Sequence, residues 1–84
     1  MASLKHARVG QLVEITWLDS AEQVGWLYGR ISYRPKLLIS RATVVDVSPT
    51  AISVAGTISA DGPEDGVLSP LTIPRGCIVR VRRL

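Results

Sequence analysis

The aromatic side chains of this 84-residue chain are gathered in one segment, together with much of its positive charge. The chain has two tryptophans, two tyrosines and no phenylalanine, and all four rings lie between positions 17 and 36. Arg30, Arg34 and Lys36 share this segment. Aromatic rings stack on nucleobases, and guanidinium groups pair with phosphates and carboxylates. These residue types predict a surface that binds a flat, negatively charged molecule, or one that packs on another protein.

Residues suited to covalent or metal chemistry are sparse. The sequence contains one histidine, His6, and one cysteine, Cys77. A nucleophilic cysteine needs a nearby base, so Cys77 in its apolar context is predicted to be a buried, inert thiol. A structural zinc site takes about four Cys or His ligands, and no Walker or Rossmann glycine pattern occurs. We therefore expect a protein that is not an enzyme and has no metal or cofactor; a hydrolytic site built from Asp19 of several subunits is the catalytic alternative.

Charge and composition limit the expected partners and location. The net charge is +3, from eight arginines and two lysines against seven acids. This balance favours anionic partners but falls short of the clustered charge of a dedicated duplex-binding domain. No apolar run approaches the roughly 18 residues of a membrane span, and the N-terminus lacks the apolar centre of a signal peptide. With its lone thiol, the chain is predicted to be cytoplasmic and to have no membrane contact.

Alternating apolar and polar residues, interrupted by Gly and Pro, predict an all-β chain. Val13, Ile15 and Trp17 alternate with Glu14 and Thr16, which predicts a first strand with Trp17 facing the core. A long excursion then covers residues 20–36. The other predicted strands are 37–47 with a bend near Ser40 and Arg41, 51–55 with Ile52 and Val54 facing inward, 68–73, and 78–81.

The last strand allows two interpretations of its arginines, whereas the acidic segment has a single interpretation. Val79 and Val81 are predicted to face inward, and Arg80 and Arg82 outward, where their charges protect a sheet edge or bind phosphate. Segment 60–66 holds Asp61, Glu64 and Asp65 and is predicted to be a solvated turn.

Five short strands in so few residues predict a small SH3-like or Sm-like barrel with a long loop between the first two main strands. Residues 74–77 predict a single turn before the last strand, which is typical of these folds. Residues 1–8 are predicted to be a flexible tail and residues 9–84 a single domain. Because so small a domain is only marginally stable alone, we expect a homo-oligomer.

Three segments resemble a set of small proteins encoded by bacteriophages and prophages. They are VEITWLDS followed by Gly25-Trp26, then TVVDVSPTAISVAG, and LTIPRGCIVRVRRL. The similar proteins carry a V-x-W-x-D-S…G-W opening, a Ser-Val-Gly central strand and a terminal I-P-K/R-x-x-I, and the resemblance covers residues 10–84. Here Ser40-Arg41-Ala42 stands in place of Ser-Val-Gly and adds a charge. The resemblance carries no activity, but it implies an infected bacterial host cell, where short cytosolic proteins often counter host defence.

The leading functional hypothesis is an anti-defence sponge. A homo-oligomer would sequester a nucleotide-derived host immune signal, of the cyclic ADP-ribose or cyclic dinucleotide type, in a pocket between subunits. The alternatives are an adaptor or inhibitor that binds a host protein, an RNA- or single-stranded nucleic-acid-binding barrel, and a virion component. Asp19 either accepts hydrogen bonds from a ribose or base edge, or forms a strand-end turn. The predicted ligand-binding residues are Trp26, Tyr28, Arg30, Tyr33, Arg34, Asp19 and Arg41.

Overall fold

The computed structural model describes residues 7–19, 29 and 35–84, and strands dominate these residues. The strands are β1 (Leu12–Asp19), β2 (Lys36–Val47), β3 (Ala51–Ala55), β4 (Thr57–Ile58), β5 (Val67–Leu68), β6 (Leu71–Pro74) and β7 (Ile78–Arg83). Five of them form one antiparallel sheet in the order β6-β3-β2-β1-β7, and β4 pairs with β5 as a separate hairpin. In the described part of the chain, no helix has the length and apolar character needed to cross a bilayer.

One side of the five-stranded sheet carries the hydrophobic core. Val13, Ile15 and Trp17 of β1 are buried there, which confirms the predicted inward phase of the first strand. Ile52 and Val54 of β3 are buried as predicted. The other members of the core cluster are Ala7, Ala42, Val44, Ile73, Ile78 and Val81. Because both edge strands contribute to this one cluster, the sheet curves around its core.

The all-β class is confirmed, but the strand boundaries differ from the prediction. The predicted strand 68–73 is divided into β5 and β6 by Ser69 and Pro70. Proline has no backbone N–H for a ladder, and Ser69 adopts a left-handed φ of 48°. In the described residues, β6 and β7 are the two edges of the sheet and no ladder joins them. The pairing is therefore that of an open, curved sheet.

The inward position predicted for Val79 is wrong. Trp17 pairs with Ile78 and Thr16 pairs with Arg80, so the register shifts by one residue at Val79. Such a bulge adds one residue to a strand and reverses the alternation beyond it. Val79 is accordingly 51% exposed, and Ile78 takes the buried position instead.

A hydrogen-bonded contact joins the β2–β3 turn to the connection between β6 and β7. The Ser48 hydroxyl oxygen accepts hydrogen bonds from the backbone N–H groups of Ala51, at 3.0 Å, and Thr50, at 3.3 Å. The connection is the 3₁₀ turn Arg75–Cys77, which confirms the single turn predicted there. Arg75 donates its Nε–H to the Ser48 carbonyl, at 2.8 Å, and its backbone N–H to the Thr50 carbonyl, at 2.9 Å. Arg75 thus fixes the start of β7 relative to β2 and β3.

The chain that precedes β1 contacts the core. Ala7 is buried in the core cluster, although it falls within the predicted tail 1–8. Gly10 donates its backbone N–H to the Val44 carbonyl, at 2.8 Å, and Val44 donates to the Gln11 carbonyl, at 2.9 Å. Packing of the domain therefore includes Ala7, and residues 1–6 lie outside the described residues.

Candidate functional site

A buried carboxylate lies on the outer side of the sheet, opposite the core. Glu14 is only 4% exposed, although the alternation along β1 directs it away from the core. Its direct neighbours in the sheet are Arg41 on β2 and Arg82 on β7. The cross-strand register therefore places a glutamate between two arginines, and their long side chains remove it from solvent.

Three guanidinium groups surround this carboxylate. Arg41 donates its Nε–H to Glu14 Oε2 at 2.8 Å, and Arg82 donates from Nη2 to the same oxygen at 3.1 Å. Arg80 Nη2 lies 3.9 Å from Glu14 Oε1, which is an ion pair without a hydrogen bond. The three arginine side chains are themselves 57–65% exposed. We call Glu14, Arg41, Arg80 and Arg82 the arginine face.

Burial and ion pairing shift the pKa of Glu14 in opposite directions. Burial raises the pKa, but hydrogen bonds from Arg41 and Arg82 and the positive charges of both lower it, and the pKa lies below its ordinary value. A carboxyl group whose pKa is lowered by folding stabilises the protein above its unfolded pKa of about 4.3. That contribution disappears as the pH falls through the lower folded pKa. Glu14 therefore makes the fold sensitive to acid, and not to changes around neutral pH.

Exposed aliphatic side chains border the arginine face. Leu12 and Leu18 share the outer side of β1 with Glu14, and Leu37 and Ile39 share the outer side of β2 with Arg41. These four aliphatic side chains are 40–61% exposed. The solvated side of an antiparallel sheet is usually polar. A face that combines arginines with exposed aliphatic residues is instead typical of a binding surface.

The structure brings only part of the predicted ligand set into this face. Arg41 belongs to it. Asp19 pairs with Lys36 at the other end of the β1–β2 ladder, five residues from Glu14, or about 17 Å at the rise of a strand. The alternation also directs Asp19 to the opposite side of the sheet, so Asp19 and Arg41 do not share a surface. The remaining predicted ligand residues, Trp26, Tyr28, Arg30, Tyr33 and Arg34, lie outside the described residues.

Sequence reasoning missed the central residue of the arginine face. Glu14 was predicted only to be an outward polar residue, and Arg80 and Arg82 to be edge charges or phosphate contacts. The alternation along β1 was an available signal for the outward direction of Glu14. The neighbours of Glu14 depend on cross-strand register, which joins positions 14, 41 and 82 and is not readable from local sequence.

Possible metal ligands and thiols were considered among the described residues. Among residues 7–19, 29 and 35–84, no group of three or more His, Cys, Asp or Glu side chains is arranged to hold a metal ion. Cys77 is a free, partly buried thiol that packs against the core cluster. Its position at the end of the 3₁₀ turn explains the partial burial, because the following residue, Ile78, takes the inward position.

The chain matches no protein-family model, no curated protein and no solved structure.

Proposed function

We propose that this protein is a non-enzymatic binding protein that captures a phosphate-bearing, nucleotide-like anion on its arginine face. One observation carries the proposal: three guanidinium groups converge on a single buried carboxylate, so positive charge remains in excess on an exposed patch. A guanidinium group has about five N–H donors. Among the described residues, Glu14 accepts one hydrogen bond from Arg41 and one from Arg82, which leaves most of these donors for a ligand.

Glu14 prepares the arginines for binding. Arginine side chains lose conformational freedom when a ligand fixes them, and this cost weakens binding. Because Arg41 and Arg82 already bond to a buried carboxylate, part of that ordering precedes the arrival of the ligand. Planar guanidinium groups also match the geometry of phosphate oxygens.

The magnitudes show what the arginine face can do by itself. A hydrogen bond to a charged group contributes about 1.5–3 kcal/mol, so three arginines that each make one such bond supply about 9 kcal/mol at most before the cost of association. Binding at tens of nanomolar requires about 10 kcal/mol. Stacking on one aromatic ring adds about 1–3 kcal/mol. Tight binding therefore needs a further contribution, and the predicted ring contacts of Trp26, Tyr28 and Tyr33 are the source that the sequence offers.

The wider setting of this proposal is an SH3-like or Sm-like small barrel of phage type, in which the curved sheet stays open between β6 and β7. The 3₁₀ turn Arg75–Cys77 before β7, and the long connection between β1 and β2, support that arrangement. In this proposal the protein is a cytoplasmic homo-oligomer in an infected bacterial cell. It sequesters a host immune signal of the cyclic ADP-ribose or cyclic dinucleotide type.

A ligand panel with a matched pair of variants tests the proposal. Thermal shift and calorimetry with pyrophosphate, cyclic dinucleotides and cyclic ADP-ribose isomers should identify at least one ligand. Arg80→Ala should weaken its binding about tenfold or more, because a charge-assisted contact of about 1.5–3 kcal/mol is lost. Arg83→Ala is the control, since it removes the same charge from an exposed neighbour in β7 that lies outside the arginine face. No ligand in the whole panel, or equal losses from both variants, would refute the proposal.

A second candidate function is an adaptor or inhibitor that binds a host protein. The aliphatic border of the arginine face favours it, because Leu37 and Ile39 are among the most exposed apolar residues described. Exposed aliphatic residues beside arginines occur at protein interfaces. In a pull-down from host lysate, a Leu37→Ser/Ile39→Ser variant should lose the host protein that the wild type captures, and it should keep any nucleotide binding. Loss of the nucleotide instead would assign these residues to the ligand site.

A further inference from the structure

The β4–β5 hairpin presents the opposite charge to the arginine face. Its tip holds three exposed acids, Asp61, Glu64 and Asp65, and residues 57–68 contain no basic residue. We call residues 57–68 the acidic hairpin. Its strands pair through Thr57 with Leu68 and Ile58 with Val67.

Local hydrogen bonds give the acidic hairpin a defined shape. The Ser59 hydroxyl donates to Asp65 Oδ2 at 3.0 Å, and the Asp61 backbone N–H donates to the Ser59 hydroxyl oxygen at 3.2 Å. The 3₁₀ turn Pro63–Asp65 closes the tip. Among the described residues, the ion pairs of the protein involve Glu14 and not the acids of this hairpin. The acidic hairpin therefore offers a compact negative tip whose charges are not neutralised within the described chain.

The two surfaces match in apolar character as well as in charge. The arginine face has three arginines against one glutamate, and the aliphatic residues Leu12, Leu37 and Ile39 border it. The acidic hairpin combines its three acids with Leu68, the most exposed large apolar residue described, at 65%. A negative tip beside an exposed leucine fits a positive patch beside exposed aliphatic residues.

We propose that the acidic hairpin of one copy docks on the arginine face of a second copy. The inference rests on the homo-oligomer of the proposed function and names the two surfaces that would form it in the ligand-free protein. The contact is head to tail, because a face-to-face dimer would bring two sets of arginines together and like charges oppose association. A head-to-tail contact forms a ring when the rotation closes and a filament when it does not. A phosphate-bearing ligand uses the same guanidinium groups, so it competes with the docked hairpin.

Two variants separate the surfaces and keep the side-chain hydrogen bonds that shape them. Asp61→Lys/Glu64→Lys reverses the charge of the acidic hairpin and keeps Asp65, which accepts the bond from Ser59. Arg80→Glu alters the arginine face and keeps Arg41 and Arg82, which hydrogen-bond to Glu14. Circular dichroism and thermal melting establish that both variants fold. Asp46→Lys is the control, because it changes an exposed acid on β2 outside the acidic hairpin.

Sedimentation velocity at low and high salt, with each variant alone and in mixture, tests the proposal. The wild type and Asp46→Lys should self-associate at low salt and dissociate at high salt, because opposite charges hold the contact. Each of the two surface variants should associate at least about tenfold more weakly, which corresponds to about 1.4 kcal/mol. A one-to-one mixture of the two variants should form a heterodimer, because the Arg80→Glu protein has an intact acidic hairpin and the Asp61→Lys/Glu64→Lys protein has an intact arginine face. Pyrophosphate should weaken wild-type association.

The outcomes distinguish this inference from the proposed function. A monomeric wild type, a folded pair of variants that does not associate when mixed, or unchanged association of either variant alone would overturn the head-to-tail contact. The Asp61→Lys/Glu64→Lys protein keeps its arginine face and should still bind the ligand found in the panel. Ligand binding by a monomeric wild type refutes the assembly alone. Complementation without any ligand refutes the proposed small-molecule function and keeps the assembly.

Discussion

The hydrogen bond between the Trp17 indole and the Ser40 hydroxyl should stabilise the fold, and removing that hydroxyl group tests this contribution. Trp17 is buried in the core, and its Nε1–H donates to Ser40 Oγ at 3.0 Å, across the β1–β2 pair. In Ser40→Ala the indole N–H keeps its burial and loses its acceptor. An unsatisfied donor costs about 1–3 kcal/mol, and the lower end applies here because the bond is only partly buried. We expect Ser40→Ala to lower the free energy of unfolding by about 1 kcal/mol.

A double-mutant cycle isolates this hydrogen bond from other effects of the substitution. Trp17→Phe removes the N–H group, so Ser40→Ala should cost much less in that background than in the wild type. Urea denaturation measures the four free energies of unfolding. Thermal melting gives a second measure, since 1 kcal/mol shifts the Tm of a domain of this size by about 4–8 °C. Equal costs of Ser40→Ala in the two backgrounds would show that the bond does not stabilise the fold.

Three further predictions concern the pH response, the core and the bulge. Urea denaturation across a pH series should show that wild-type stability falls as the pH drops below the unfolded glutamate pKa of about 4.3, and Glu14→Gln should lose that part of the dependence. An unchanged acid response would contradict the ion-pair account. Ile52→Val should cost about 0.5–1.5 kcal/mol in urea denaturation, because Ile52 is fully buried, whereas Ile39→Val at an exposed position should be nearly neutral; similar costs at both sites would contradict the assigned core. Val81→Thr should lower the free energy of unfolding by about 1–3 kcal/mol, because it buries a hydroxyl group, whereas Val79→Thr should change it by less than about 0.5 kcal/mol. The reverse order would contradict the bulge between β1 and β7.

The local pattern was sufficient wherever a strand runs without interruption. In β1 and β3 the period-two alternation predicted the buried sides correctly, including Trp17, Ile52 and Val54. Side chains of neighbouring residues point to opposite sides of a pleated strand whatever its partners are. A single turn before the last strand was also predictable, because Pro74 and Gly76 interrupt the apolar pattern there.

The local pattern failed where a distant strand decided the geometry. Val79 was predicted to face inward, and the bulge opposite Thr16 and Trp17 reversed its direction. A bulge arises from the fit between two strands, here β1 and β7, which are far apart in the sequence. The division of the strand at Ser69 and Pro70 was in principle visible from the proline, and the prediction did not use it.

The amino-acid sequence by itself determined the all-β class and the outward direction of Glu14, because strand propensity and pleating are properties of a short stretch of chain. Only the tertiary structure decided that Arg41, Arg80 and Arg82 surround this carboxylate. Strand pairing brings Glu14 next to Arg41 and Arg82, which are 27 and 68 positions away in the sequence. One residue of slip in either ladder would send the arginines to the other side of the sheet and leave Glu14 without its partners.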